Sequence, residues 1–169
     1  MPCPFCQKEH TWSAEEALEM LAQGPQKVRA ALAGASDREL TFAEPKPGGW
    51  TPAQVATHLM DTEVVYSLRF RKLLAEEDPT LPAFDQNRWA EALLAGRQLN
   101  DVLQTYQLLR KQNLGLLRAA PAGALDSAGI HPQYGRLTLR DHLIHMADHD
   151  SRHAAQIRRI RDAYARSEA

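Results

Sequence analysis

His145-Met146-Ala147-Asp148-His149-Asp150-Ser151-Arg152-His153 sets three histidines at successive four-residue steps. On an α-helix such positions stack along one side, about a turn apart. The surrounding segment supports a helix. Thr138 caps its start, with Asp141 three residues on. Leu139, Leu143, Met146 and Ile157 fall near the centre of one apolar stripe at about 100° per residue. The helix is predicted to run to about Ala165. Two neutral imidazoles a turn apart can point at one metal ion, and imidazole is a common ligand for late transition metals.

Three more amphipathic segments precede this one. Ser13-Ala14-Glu15-Glu16 is a capping box that opens a helix ending near Gly34, with Leu18, Leu21, Val28, Ala31 and Leu32 on its apolar side. Thr51-Pro52-Ala53-Gln54 combines a threonine N-cap, proline in the first turn and glutamine at the third position. From it a helix is predicted to about Ala75, on Val55, Leu59, Thr62, Tyr66, Phe70 and Leu73. The third runs from about Asn100 to Ala119, on Val102, Leu103, Tyr106, Leu109, Leu114 and Leu117.

The connections are long: a Pro/Gly-rich loop at 44–50, a polar, proline-rich crossover at 76–82, and a loop at 121–137. Asp85 to Leu94 is expected to form a short helix carrying Trp89. No stretch alternates apolar and polar residues long enough to predict a strand. The expected fold is all-α, a four-helix bundle with crossovers spanning residues 13–169, behind a non-helical tail at 1–12.

Composition narrows the function. The 169 residues suit a single domain. A net charge of −1 leaves no global attraction to phosphate. Only Arg158, Arg159, Arg161 and Arg166 cluster, interrupted by Asp162, so no nucleic-acid partner is expected. No apolar run is long enough to span a bilayer, and no leader pattern opens the chain. With two cysteines, the expectation is a reducing cytoplasm and no membrane partner.

A third ligand comes from the second long helix. With Val55 at zero, His58 lies about 60° to one side of the buried stripe. On the last helix His153 lies about 40° and His149 about 80° from the stripe centre, on one flank. His145 lies about 120° away and is expected to face water. His58, His149 and His153 can therefore converge at one edge of the core. Three neutral nitrogens leave coordination positions open, as catalytic sites do. Zinc, nickel, iron and copper all suit such a set, zinc and nickel heading the expectation.

These residues carry a resemblance. Gly48-Gly49-Trp50-Thr51-Pro52-Ala53-Gln54-Val55-Ala56-Thr57-His58-Leu59-Met60-Asp61 resembles the start of the second helix in the DinB/YfiT-like family of metal-binding bundles. His149, His153 and Gln156 match the family's His-x3-His-x2-Gln, and Phe84-Asp85-Gln86-Asn87-Arg88-Trp89 is similar to its crossover segment. The resemblance spans most of residues 13–165. It implies an up-down-down-up topology, a divalent metal on His58, His149 and His153, and pairing as a homodimer. It also implies transfer chemistry using a low-molecular-weight thiol such as bacillithiol, mycothiol or glutathione. The expected function is a metal-dependent thiol S-transferase acting on small electrophiles in stress or detoxification. The alternatives are a non-enzymatic metal-binding stress module and a metal-dependent hydrolase.

Other constellations weigh less. His149-Asp150-Ser151-Arg152-His153 mimics the zinc-peptidase His-Glu-x-x-His, with the shorter aspartate about 100° from His149. Asp150 or Asp61 is expected instead to hydrogen-bond a neighbour. Cys3-Pro4-Phe5-Cys6 lacks the strand context of a redox motif. A zinc site from Cys3, Cys6 and His10 would want a fourth ligand, such as His131 or a residue of another subunit. The tail is expected to be held by packing. Trp12, Trp50 and Trp89 read as core or rim, and Arg69 and Arg88 as solvated.

Overall fold

The protein is described by a computed structural model covering residues 3–121 and 123–169; Met1 and Pro2 of the predicted tail and Ala122 of the last loop lie outside the described residues. Four long helices make the bundle: α1 (Ala14–Leu32), α3 (Pro52–Ala75), α5 (Leu99–Arg118) and α6 (Leu139–Ser167). Three of them start at caps read from sequence. At Ser13, Thr51 and Thr138 the hydroxyl accepts from the third helical N–H, and that residue's side chain accepts from the cap N–H. Two short helices, α2 (Asp37–Thr41) and α4 (Gln86–Ala92), sit in the crossovers. No helix among the described residues is long and apolar enough to cross a membrane.

Side-chain contacts give the directions. Arg161, near the end of α6, donates to the Ala31 and Ala33 carbonyls at the end of α1, so these helices run parallel. Glu63 meets Arg110, and four residues on Ser67 meets Asn113, so α3 and α5 also run parallel. His58 meets His149 and Tyr66 packs on His142, so α3 and α6 are antiparallel. The topology is up-down-down-up.

The last crossover differs from expectation. It holds a two-stranded antiparallel hairpin, β1 (Ala128–His131) and β2 (Gly135–Thr138), with Ala128 opposite Thr138. The strands are four residues long, too short for a periodic signal. Their support comes from far away in sequence. The 76–82 crossover lies beside β1, where Leu81 N–H donates to Ile130 O and Ile130 N–H to Pro79 O.

The core is two apolar clusters with a polar layer between them. One gathers Leu21, Tyr66, Leu114 and Ala147; the other gathers Val28, Leu59, Tyr106 and Ala154. In each long helix the gap between the clusters holds a residue of the polar layer: Gly24, Glu63, Arg110 and Asp150. Arg110 donates from Nε and Nη2 to Glu63 Oε2 at 3.0 and 2.8 Å, and from Nη1 to Asp150 Oδ2 at 2.5 Å. Asn113 donates to Glu63 Oε1 at 2.8 Å. Arg110 Nη1 also donates to Leu21 O at 2.7 Å. That carbonyl is free because Pro25, four residues on, has no N–H to give it. Burial alone would lower the Arg110 pKa, but Asp150 and Glu63 hold it well above its ordinary value. The layer fixes the register of α6 where the histidines emerge.

Candidate metal centre

His58 lies two turns into α3 and His149 and His153 lie mid-way along α6; His149 adjoins Asp150 of the polar layer, and His58 and His153 stand beside Leu59 and Ala154 of one apolar cluster. The structure brings them together. One nitrogen from each lies within 4.8 Å of the other two. His58 Nε2 is 3.3 Å from His149 Nε2. Two nitrogens bound tetrahedrally to one ion at about 2.0–2.1 Å stand about 3.3–3.4 Å apart, so the spacing matches a shared ligand atom pair.

All three rings are held neutral, the form a ligand needs. Burial lowers the His58 pKa to about 3, with His153 and His145 adding to the effect. Burial first, then the neighbouring histidines, hold His149 well below its ordinary value. His153 is lowered by burial and partly restored by Gln156. Its tautomer is set: Nδ1–H donates to Gln156 Oε1 at 2.9 Å, which leaves Nε2 unprotonated. Gln156 Nε2 in turn donates to Glu44 Oε2 at 3.3 Å. His149 Nδ1 is buried with no hydrogen bond, 4.0 Å from Asp150 Oδ1. Three converging neutral imidazoles, one of them oriented by an amide, are a donor set that fits a divalent late transition metal.

The cluster opens into a cleft of about 910 Å³. Trp50 covers one side, its ring centroid 4.9 Å from His58, and Phe84 of the crossover lies 6.4 Å from the same ring. Gln54 Nε2 donates to Ala90 O, which ties α4 and its crossover to the first turn of α3. Lys8, Lys46, Arg69 and Arg152 line the cleft, and Asp85 is the one carboxylate among the lining residues. Asp85 is already used as the N-cap of α4. Arg152 Nε stands 2.9 Å from Asp148 Oδ2, yet neither Nε nor Nη2 makes a hydrogen bond. Both atoms are buried, and the guanidinium sits against Asp148 as an ion pair in the wall of the cleft.

Several sequence expectations change. His145, expected further round toward water, is half-buried. It lines the cleft and packs against Phe5 of the tail at 4.5 Å, because the tail covers a flank that bundle periodicity alone leaves open. Arg69 is buried, not solvated, and donates to Pro82 O at 2.6 Å and to His131 Nε2 at 3.0 Å. His131 is thereby engaged away from the cysteines. Asp150 and Asp61 do bond neighbours, but those are Arg110 and Arg97, not the ligands. Sequence reasoning passed over Gln54 and Glu44 as supports of the site. It also passed over Gly24-Pro25, whose helix-interior glycine and proline were a visible signal.

Fold and site define a class: parallel-paired helical bundles with a histidine cluster in an open cleft. The chain belongs to the DinB superfamily, whose family model matches residues 20–157. Curated relatives include a "Putative metal-dependent hydrolase" of Oceanobacillus iheyensis, 28% identical over 112 residues, 66% of this chain and 65% of the relative. Another so named, from Bacillus mycoides, is 28% identical over 115 residues, 68% of this chain and 66% of the relative. The matches thus span just under two thirds of those relatives' lengths. Among solved structures the chain is similar to YfiT from Bacillus subtilis, described as a probable metal-dependent hydrolase with an unusual four-helix bundle topology. The TM-score is 0.85, with 24% identity over 94% of this chain and 93% of that one. That likeness concerns the fold.

Proposed function

We propose that His58, His149 and His153 hold one divalent metal, zinc or nickel, and that the protein transfers a carboxylate-bearing low-molecular-weight thiol onto a small electrophile. The observation that carries this reading is the cleft: about 910 Å³, lined by four cationic side chains and by one carboxylate, Asp85, whose Oδ1 caps α4. Its volume lies in the upper part of the range for small-molecule sites and accommodates a tripeptide-sized cosubstrate plus a small electrophile. A divalent ion held by His58, His149 and His153 would supply Lewis acidity, which would lower the pKa of a thiol toward neutrality.

The chain's own residues do the rest. Arg152 and Lys8 attract the carboxylates of the thiol, and glutathione or bacillithiol meets that requirement. Trp50 and Phe84 put an apolar wall beside His58, against which the electrophile's carbon skeleton packs. Gln156 keeps the lone pair of His153 Nε2 directed at the site. The reaction forms a sulfur–carbon bond and breaks the carbon–leaving-group bond, releasing the anion and the thiol proton; with an epoxide the ring C–O bond breaks and the opened oxygen takes up the proton.

Hydrolysis is the second reading, favoured by the names of the curated relatives. A peptidase-like mechanism with a carboxylate base is not supported, because Asp150 is committed to Arg110. The test is a panel of thiols against alkyl, aryl and epoxide electrophiles, run beside ester and amide substrates, with the metal-loaded protein. Accelerated thiol consumption that vanishes in His149→Ala supports transfer. Turnover of esters or amides alone moves the function to hydrolysis.

A further inference from the structure

A second set of metal ligands lies one helical turn from the first. Cys3-Pro4-Phe5-Cys6 folds into a tight turn: Gln7 N–H donates to Cys3 O and Cys3 N–H to Lys8 O, both at 2.8 Å. Gln7 adopts φ of 59°, the left-handed conformation that lets the chain double back after the second cysteine. Burial raises the Cys3 thiol pKa above its ordinary value, and the backbone N–H groups of Cys6 and Phe5 offset only part of that rise. The turn is seated against α6 by Phe5, whose ring lies 4.5 Å from His145 and 5.3 Å from His142.

This seating brings sulfur and nitrogen donors together. Sγ of Cys3, Sγ of Cys6 and a nitrogen of His145 all lie within 4.8 Å of one another. Cys3 Sγ is 3.9 Å from His145 Nδ1, and Cys6 Sγ is 3.2 Å from His10 Nε2. In a tetrahedral zinc site with Zn–S of about 2.3 Å and Zn–N of about 2.0–2.1 Å, neighbouring donors stand about 3.4–3.8 Å apart. The Cys3, Cys6 and His145 donors need shifts of about an ångström to reach that spacing. His10 touches Cys6 alone and completes the set by a larger swing of its ring on the tail.

We infer that Cys3, Cys6, His10 and His145 form a closed two-sulfur, two-nitrogen zinc site that clamps the N-terminal tail onto α6. Paired thiolates at Cys-x2-Cys spacing with two imidazoles select zinc, and a filled tetrahedron makes the site structural. The consequence reaches the cleft, because Phe5, Cys6 and Lys8 are part of its wall. His145 and His149 rings lie 5.5 Å apart, so one helix carries ligands of both sites. The clamp does not depend on the thiol-transfer reading, since it shares no ligand with the three-histidine cluster.

The test uses the full chain without an affinity tag, purified under reducing conditions. Zinc is counted by mass spectrometry, and cobalt is then exchanged in and the near-ultraviolet thiolate-to-cobalt absorption read. The parent should hold about two equivalents and show the band. Cys3→Ser/Cys6→Ser should hold about one and lose the band, whereas His149→Ala should lose about one equivalent and keep it. Protease should release the tail faster from the cysteine variant than from the parent. A parent without the thiolate band or a cysteine variant with undiminished zinc overturns the clamp. The band is read on the parent itself, so a misfolded variant cannot rescue the inference.

Discussion

Gly24→Ala should destabilise the protein although it replaces a glycine inside a helix. Alanine at an ordinary helix-interior position gains about 1 kcal/mol over glycine. Here the new Cβ would stand 1.8 Å from Asp150 Oδ2, 2.7 Å from Asp150 Cγ and 2.8 Å from Arg110 Nη1. Ordinary contact requires about 3.5 Å, so the carboxylate has to move by more than about 1.5 Å. It cannot do so freely, because Asp150 is 1% exposed and bonded to Arg110 at 2.5 Å. Breaking one arm of a buried ion pair costs about 3–5 kcal/mol. The net expectation is a loss of about 2–4 kcal/mol, a fall in Tm on the order of 10 °C for a chain of this length. Gly115 is the control: it is an exposed glycine of α5 with nothing within 4 Å of its would-be Cβ. Gly115→Ala should gain up to about 1 kcal/mol. Urea unfolding followed by circular dichroism measures both. If Gly24→Ala is as stable as the parent, the close packing of α1 on the Arg110 layer is wrong.

Gln156→Ala removes the acceptor that orients His153 and should weaken metal binding about 10–100-fold, read by competition with a chromophoric chelator, with little change in Tm of the metal-free protein. Arg152→Ala should raise KM for a carboxylate-bearing thiol while leaving kcat for an uncharged thiol unchanged; equal losses with both thiols would remove Arg152 from cosubstrate recognition. His142 is buried, donates from Nδ1 to Thr138 O at 2.8 Å and leaves Nε2 without a partner, and burial carries its pKa down to about 4. The unfolded chain protonates near about 6.5, so between those values it binds more protons than the folded one, and stability falls on acidification. From pH 7 to 5 this residue alone costs on the order of 2 kcal/mol, a dependence that His142→Asn should remove from urea midpoints of the metal-free protein.

The bundle was legible because its signals are local. Ser13, Thr51 and Thr138 announce their helices through side-chain bonds made within one turn, and the apolar stripes continue from them. The same rule marks Ser36 and Glu39, but α2 buries no residue and so carries no stripe to draw the eye. The convergence of His58, His149 and His153 followed from helix geometry alone. What escaped depends on contacts across the chain. β1 exists through its partners Pro79 and Leu81, about 50 residues earlier in the sequence. His145 is turned from a solvent residue into a cleft residue by a tail that no periodicity places. Arg69 and Arg110 look like surface arginines until their acceptors, a proline carbonyl and two buried carboxylates, are brought to them.

The function proposed for the cleft rests on three histidines of two helices holding one divalent ion. The most direct measurement is metal stoichiometry and affinity in the Cys3→Ser/Cys6→Ser background, by calorimetric titration with zinc and with nickel, before and after adding His58→Ala or His149→Ala. About one equivalent is expected in that background and none in either histidine variant, with far-ultraviolet circular dichroism unchanged. Undiminished binding after removal of both His58 and His149 would contradict it.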